Sequence, residues 1–420
     1  MSHFTYRAGE LHCEDVPLAA LAASLGTPLY VYSQAAILDR FRAFDAAFGA
    51  VPHLVCFAVK ANDHLAILRL LAREGAGFDV VSQGELWKAL RAGADGRKIV
   101  FSGVGKSEAE LEAALDANLL MINVESPQEL DAVERVAARR RVRAPVSLRV
   151  NPDVDPKTHP YIATGLKKSK FGIDFGEALV HYARARTMPH LDVVGIDCHI
   201  GSQLTEVAPF VDALARVRRL IGQLAEDGLA GGLRYLDLGG GLGITYKDET
   251  PASPEAYAAA LAEGLGGLSL TALFEPGRSI AGNAGVLVTR VLYRKDTAAK
   301  RFVVVDGAMN DLIRPALYGA YQAIRPLRPR GAPTIVADVV GPVCESGDFL
   351  ARDREIEEPR PDDLLAVMSA GAYGYVMASN YNSRPRPAAV LVDAGSAHII
   401  RERETFEDLV RGERIPPALG

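Results

Sequence analysis

The sequence predicts an α/β chain: a closed (β/α)8 barrel of the TIM type, followed by a C-terminal antiparallel β domain. Two observations carry this reading. Between residues 33 and 285, eight short apolar runs alternate with helical patterns, and beyond residue 285 apolar runs follow one another without helices between them. Parallel strands buried on both faces read as continuous apolar runs and need crossover helices. Eight such units over about 250 residues favour a closed barrel over an open doubly wound sheet.

The eight runs are Leu54–Val59, Phe78–Val81, Lys98–Ser102, Met121–Val124, Val146–Val150, Val193–His199, Tyr235–Leu238 and Leu270–Glu275. Helix signals lie between them. Ser126-Pro127-Gln128-Glu129 offers a cap, a proline at the first helical position and a glutamate three residues after the cap. Gly75, Gly93 and Gly228 stand where helices should stop. The segment Asn151–Asp174 contains Pro152, Pro156, Pro160, Gly165 and Gly172, and reads as a long loop, which in a compact domain is functional or mobile. Val286–Tyr293, Arg301–Asp306, Thr334–Val340, Asp363–Met368 and Ala388–Val392 then read as strands of the second domain. The first thirty residues are strand-like in part and are expected to join it. The expected division is therefore 1–30, 31–285 and 286–420.

Composition narrows the class. The chain has 420 residues, 49% of them hydrophobic, enough for a large core. A net charge of −5 gives no general attraction to nucleic acid or anionic lipid. No apolar run approaches the ~20 residues of a membrane helix, and the N-terminus shows no secretion signal. Cys13, Cys56, Cys198 and Cys344 are scattered, which argues for a reducing compartment and against a metal site. The expectation is a cytoplasmic protein with no nucleic-acid or membrane partner.

Chemistry in such a barrel gathers at the C-terminal ends of the strands. Lys60 closes the first run, a place where a lysine calls for explanation. Alone it would more often be a strand-end lysine reaching water along its stem; the alternative is a Schiff-base lysine with a pKa lowered by desolvation. The other ends supply Asp79, His199, Ser202, the run Gly239-Gly240-Gly241-Leu242-Gly243, and Glu275-Pro276-Gly277-Arg278. Each has an ordinary reading alone: a core histidine, a flexible turn, an ion-paired carboxylate. Glycines let backbone N–H groups approach an anion. Ile244 stands where a dinucleotide fingerprint needs its last glycine, so that reading is set aside. Pyridoxal 5'-phosphate accounts for the whole set: a lysine for its aldehyde, an anion cradle for its phosphate, a carboxylate for its ring nitrogen and a flat group against the ring.

These residues resemble the alanine-racemase-like pyridoxal phosphate barrels, and among them the diaminopimelate decarboxylases. The resemblance rests on Phe57-Ala58-Val59-Lys60-Ala61-Asn62, His199-Ile200-Gly201-Ser202-Gln203, the glycine run, Glu275-Pro276-Gly277-Arg278, Gly341-Pro342-Val343-Cys344-Glu345-Ser346-Gly347-Asp348 and Gly371-Ala372-Tyr373-Gly374. It implies that Lys60 holds the cofactor aldehyde and His199 stacks on the ring. Ser202, Gly239, Gly240 and Gly241 would hold the phosphate, with help from Glu275, Pro276, Gly277 and Arg278. Glu275 would pair with the ring nitrogen, Asp79 and Tyr373 would complete the cofactor site, and Cys344 would deliver a proton. Arg278, Arg314, Tyr318, Glu345 and Tyr373 would fix the distal ammonium and carboxylate of meso-diaminopimelate. The resemblance further implies a homodimer with Cys344 and Glu345 entering the neighbouring site. A sibling decarboxylase, a racemase and a non-catalytic cofactor carrier are the rival readings. Gln83 departs from many relatives and is expected to change no chemistry.

Overall fold

The computed structural model describes residues 3–154 and 169–419. The chain divides into two compact units, Leu38–Ile280 and Met1–Ile37 with Ala281–Gly420. The first is the barrel. Its strands are β1 (His53–Ala58), β2 (Gly77–Val80), β3 (Ile99–Phe101), β4 (Met121–Val124), β5 (Ala144–Asn151), β6 (Leu191–Asp197), β7 (Tyr235–Asp237) and β8 (Thr271–Phe274). Each pairs in parallel with the next. β8 returns to β1 with Ala272 opposite His53, which closes the cylinder. All eight expected runs are strands.

The ends of the strands shift in a way that matters. β1 stops at Ala58, and Val59–Ala61 forms a 3-10 turn that carries Lys60. β6 stops at Asp197, so His199 lies beyond it. The helix Pro127–Arg140 is capped by Ser126, whose hydroxyl accepts from Glu129 N at 3.2 Å. Glu129 does not complete the box; its carboxylate accepts from Glu125 N at 2.9 Å. Gly75, Gly93 and Gly228 each follow a cap residue with φ of +92°, +91° and +70°, as a left-handed helix stop requires. Much of the long segment read as a loop, 155–168, lies outside the described residues; its end, Ile173–Asp174, adds two residues of parallel pairing to β5.

Inside the barrel the filling is layered. Cys56, Val100, Met121, Val194 and Leu273 form a fully buried apolar cluster. Nearer the C-terminal ends the buried side chains become polar: Asp79, Ser102, Asn123, Ser147, Asp197, Asp237 and Glu275.

The second unit contains a seven-strand path in the order Phe349–Glu357, Thr334–Val340, Arg301–Val305, Gly285–Asp296, Leu29–Ser33, Ala388–Asp393, Ser396–Arg401. Leu364–Val367 also pairs with Gly285–Asp296 and carries Ile324–Pro326 on its far side. The expected antiparallel domain is mostly that, with two corrections. Arg301–Val305 with Thr334–Val340, and Leu29–Ser33 with Ala388–Asp393, pair in parallel. Phe349–Glu357, Ser396–Arg401 and Ile324–Pro326 were not expected as strands. They are edge or end strands with many charged or exposed positions, so their apolar period is weak. Residues 4–17 form a separate small antiparallel sheet, while Leu29–Ser33 enters the large one, with Leu29 and Val31 packed among Val286, Val288 and Val390.

Gly77 opens β2 where the backbone runs tightly: a Cβ there would lie 2.4 Å from Lys98 O and 2.8 Å from Cys56 Sγ. Gly77→Ala should destabilise the protein by roughly 1–3 kcal/mol in urea unfolding. An unchanged midpoint would mean that β2 slides to make room.

Candidate active site

Lys60 leaves β1 on the 3-10 turn and its ammonium donates to Asp79 Oδ2. Asp79 is fully buried, whereas the Lys60 side chain is 34% exposed. The fold pairs this strand-end lysine with a buried carboxylate from the neighbouring strand. Asp79's second oxygen, Oδ1, has no hydrogen-bond partner among the described residues.

Across the barrel mouth the glycine run follows β7. Gly239 adopts φ +64° and donates to Asp237 Oδ1 at 2.9 Å. Gly240 donates to His199 Nδ1 at 3.1 Å. A Cβ on Gly240 would lie 2.2 Å from Glu275 O, so no other residue fits without moving the backbone after β8. Two of the three N–H groups expected to hold an anion are thus engaged within the chain. The Gly240 bond also fixes His199. A backbone N–H can only donate, so Nδ1 is the accepting nitrogen and the proton of the neutral ring sits on Nε2. Burial, then the positive charges of Arg149 and Lys60, push the His199 pKa well below its ordinary value. His199 is a flat, neutral ring held from its edge. Ile244, where a nucleotide fingerprint wants glycine, is fastened by both ends of one amide: its N–H donates to Gln203 Oε1 at 3.1 Å and its carbonyl accepts from Gln203 Nε2 at 2.7 Å.

Glu275 follows β8 directly and is buried, with Oε1 unpartnered among the described residues. Burial, then the neighbouring Asp237 and Asp79, push its pKa well above the ordinary carboxylate range; Lys60 and Arg149 pull the other way. Pro276 O accepts from Ala58 N at 3.2 Å, and a Cβ on Gly277 would meet Ala61 Cβ at 2.8 Å, so this turn is pressed against the turn that carries Lys60. Arg278 is buried. It donates to Ser202 Oγ through Nη2 at 2.9 Å and to the Tyr246 hydroxyl through Nη1 at 2.6 Å.

The barrel therefore brings together Lys60, Asp79, His199, Ser202, Gly239–Gly241 and Glu275–Arg278. Arg314, Tyr318, Cys344, Glu345 and Tyr373 belong to the other unit. There, helix Arg314–Tyr318 lays the Arg314 guanidinium over the Tyr318 ring, 5.6 Å from its centroid, with Arg314 buried. Cys344 is exposed and lies in a run of tight turns with Glu345, and Tyr373 sits in a turn at φ +55°.

Several residues escaped the sequence reading. Arg149 pairs with Glu125 at 2.9 Å and with Asp197 at 3.9 Å, all three buried. Asn123 links Ser102, Ser147 and Asp237. Burial, then Asp197, push Asp237 up to about 7. Burial likewise raises Glu85, next to Lys60 and Asp79, to about 7. A signal existed: polar residues at alternate positions of apolar strands, as in Ser147 and Arg149 of β5.

A buried, unpartnered carboxylate oxygen with a raised pKa is suited to a protonated ring nitrogen, and it stands beside a lysine amine. These residues fit pyridoxal phosphate. Comparison with known proteins agrees. Residues 34–282 match the family described as pyridoxal-dependent decarboxylase, pyridoxal binding domain. A diaminopimelate decarboxylase of Pseudomonas aeruginosa is 56% identical, covering 99% of this chain and 100% of its own length. The crystal structure of diaminopimelate decarboxylase from Helicobacter pylori complexed with L-lysine is 44% identical, covering 94% of this chain and 98% of that one, with a TM-score of 0.91. The enzyme from M. jannaschii in co-complex with L-lysine is 38% identical over 99% of this chain and 98% of that one, with a TM-score of 0.94.

The acid cluster sets a pH dependence. Glu275's folded pKa lies above its unfolded ~4.3, so between the two values the folded state holds the extra proton. Stability is then complete below the unfolded value and declines as pH rises through the window. Glu275→Gln removes that decline. In cofactor-free protein it should raise Tm near pH 8 by about 2–4 °C, corresponding to roughly 1 kcal/mol, with no gain near pH 4. A lower Tm near pH 8 would show that the carboxylate is compensated after all.

Proposed function

The chain belongs to the diaminopimelate decarboxylase family of pyridoxal-dependent decarboxylases, and from that premise we propose that it converts meso-2,6-diaminopimelate to L-lysine and CO2, with pyridoxal 5'-phosphate as cofactor. The observation that carries the reading is the unpartnered oxygen of buried Glu275, in electrostatic reach of the Lys60–Asp79 pair. Bound there, pyridoxal phosphate supplies an aldehyde for amines and a protonated ring that draws electrons from the bond to be broken.

The chain's own groups do the rest. Lys60 would be the amine for the aldehyde, and Asp79 holds its ammonium. Glu275 keeps the ring nitrogen protonated, and the surrounding acids strengthen its hold on that proton. His199, neutral and fixed by Gly240, provides a flat face without adding positive charge. Ser202, Gly241 and the Pro276–Gly277–Arg278 turn hold the phosphate, while Gly239 and Gly240 shape the cradle. Tyr373 is taken, as the family resemblance implies, to complete the cofactor's contacts. Arg278, Arg314 and Tyr318 read the distal carboxylate of the substrate, and Glu345 reads its ammonium. Cys344 donates the proton that replaces CO2. By fixing the substrate's distal end these residues would orient the bond to the departing carboxylate, and such orientation can supply several kcal/mol of the barrier. A substrate lacking the distal carboxylate forgoes the contact with buried Arg278 and Arg314, which discriminates far more strongly than a missing methylene, whereas Glu345 is exposed and discriminates less than the sequence led us to expect.

We take residues 38–280 as the cofactor domain and 281–420, with 1–37, as the second domain; the expected boundaries at 31 and 285 move because Leu29–Ser33 is a strand of the second unit's sheet, paired with Gly285–Asp296. We further propose a homodimer in which Cys344 and Glu345 serve the partner's site, and a cytoplasmic location. Among the described residues no helix is long and apolar enough to cross a membrane.

Cofactor-loaded protein offered the meso, LL and DD isomers separately should release CO2 from meso alone and give L-lysine by chiral analysis. CO2 from another diamine at a higher kcat/KM would assign a sibling substrate instead. Lys60→Ala should lose both the cofactor's absorption near ~400–430 nm and turnover. In Cys344→Ala the absorption should persist while kcat falls by about 10²-fold or more; a wild-type kcat there would remove the thiol from the mechanism.

A further inference from the structure

The run Val343–Phe349 turns tightly on itself. Glu345 N donates to Val343 O at 2.8 Å, Asp348 N to Glu345 O at 3.1 Å and Phe349 N to Gly347 O at 3.0 Å. Asp348 braces it from within: Oδ2 accepts from Val343 N at 2.7 Å and Oδ1 from Met309 N at 2.7 Å. The N–H of Cys344 is taken by neither. It donates to Asn382 Oδ1 at 2.8 Å, from a segment 38 residues away. One residue before Asn382, the Tyr381 hydroxyl lies within reach of the Glu345 carboxylate, which holds the hydroxyl's pKa up.

Asn382 sits at φ 56° and ψ 30°, in the left-handed region, and Ser383 follows at φ 53°. Two consecutive non-glycine residues in that region persist only where their surroundings hold them. The surroundings do so here. On one side Asn380 Nδ2 donates to Glu404 Oε2 at 2.7 Å. On the other, Arg384 Nη2 donates to Asp306 O at 2.6 Å. A turn fixed at both ends thus presents one side chain to the backbone of Cys344 and its neighbour to the carboxylate of Glu345.

We propose that Tyr381 and Asn382 are positioning residues for the decarboxylation: Asn382 aims the Cys344 thiol, and Tyr381 aims the Glu345 carboxylate at the substrate's distal ammonium. The inference rests on the proposed roles of Cys344 and Glu345 and adds a division of labour to them. A residue that aims the proton donor affects the chemical step, whereas a residue that aims the ammonium receptor affects binding. A turn that merely stabilises the fold would move both quantities together.

The test uses the intact cofactor-loaded enzyme. Asn382→Gly keeps the left-handed backbone and removes the acceptor; Asn382→Asp keeps an acceptor. Asn382→Gly should lower kcat about tenfold or more with KM within about twofold, and Asn382→Asp should recover most of that loss. Tyr381→Phe should weaken L-lysine binding by about tenfold in calorimetry and raise KM by a similar factor, with kcat nearly unchanged. L-Lysine retains the distal ammonium, so its affinity reports on Glu345 without turnover. Cys344→Ala and Glu345→Ala run beside them. A full loss of kcat in Cys344→Ala together with a wild-type kcat in Asn382→Gly overturns the positioning role while leaving the thiol in place. A wild-type kcat in Cys344→Ala overturns the donor assignment itself. Parallel shifts of kcat, KM and Tm in both turn variants would reduce the turn to a structural clamp and overturn the proposal.

Discussion

The constraint on which the barrel's mouth depends is the burial of like charges. Asp79, Asp197, Asp237 and Glu275 stand within electrostatic reach of one another, and Lys60 and Arg149 are the cations that oppose Glu275. Like charges in a poorly hydrated site cannot all ionise at ordinary pH. Protons, hydrogen bonds or a cationic guest must make up the balance. Asp237 spends its two oxygens on Gly239 and Asn123, Asp197 leans on Arg149, and Asp79 takes Lys60. Asp79, Asp197 and Glu275 each keep one oxygen without a hydrogen-bond partner among the described residues, and of the three Glu275 is the one for which no ion pair is found among them. In the proposed function a protonated pyridine ring meets this cluster, and binding would relieve electrostatics that the folded protein holds unfavourably.

The same arrangement explains why the glycine run is there. It gives less of its backbone to an anion than its composition suggests, because Gly239 and Gly240 donate to Asp237 and His199. Its glycines instead allow close approach. Gly240 lies against the carbonyl of Glu275, and Gly239 turns back past His199. The run is the joint that seats His199 and Glu275 on a common frame.

Much of this was legible in the sequence. The eight runs were strands because a parallel strand buried on both faces has to be apolar along its length, and the site followed from reading only the ends of those runs. What stayed hidden did so for physical reasons. Phe349–Glu357 carries Arg352, Asp353, Arg354 and Glu355, tolerated because it is an edge strand. Arg149, Glu125 and Asn123 lie inside or just past apolar strands, where single polar residues look like noise until their partners are known from three dimensions. The two parallel pairings in the second unit were invisible because strand direction depends on chain path rather than on composition. The Lys60–Asp79 pair was not foreseen because it joins the ends of two different strands.

The path of the second unit's large sheet carries a consequence for how the chain is made. Leu29–Ser33 is an interior strand, bonded on one edge to Gly285–Asp296 and on the other to Ala388–Asp393. Its partners are therefore synthesised some 250 and 360 residues after it. During translation the barrel segment, continuous in sequence, emerges whole and can fold while the N-terminal strand still has neither neighbour. Contacts this distant are slow to form, since the closure entropy comes before the reward. Until the last strands leave the ribosome, an apolar strand with both edges open stands at the front of the chain, and chaperone dependence in expression should track that segment.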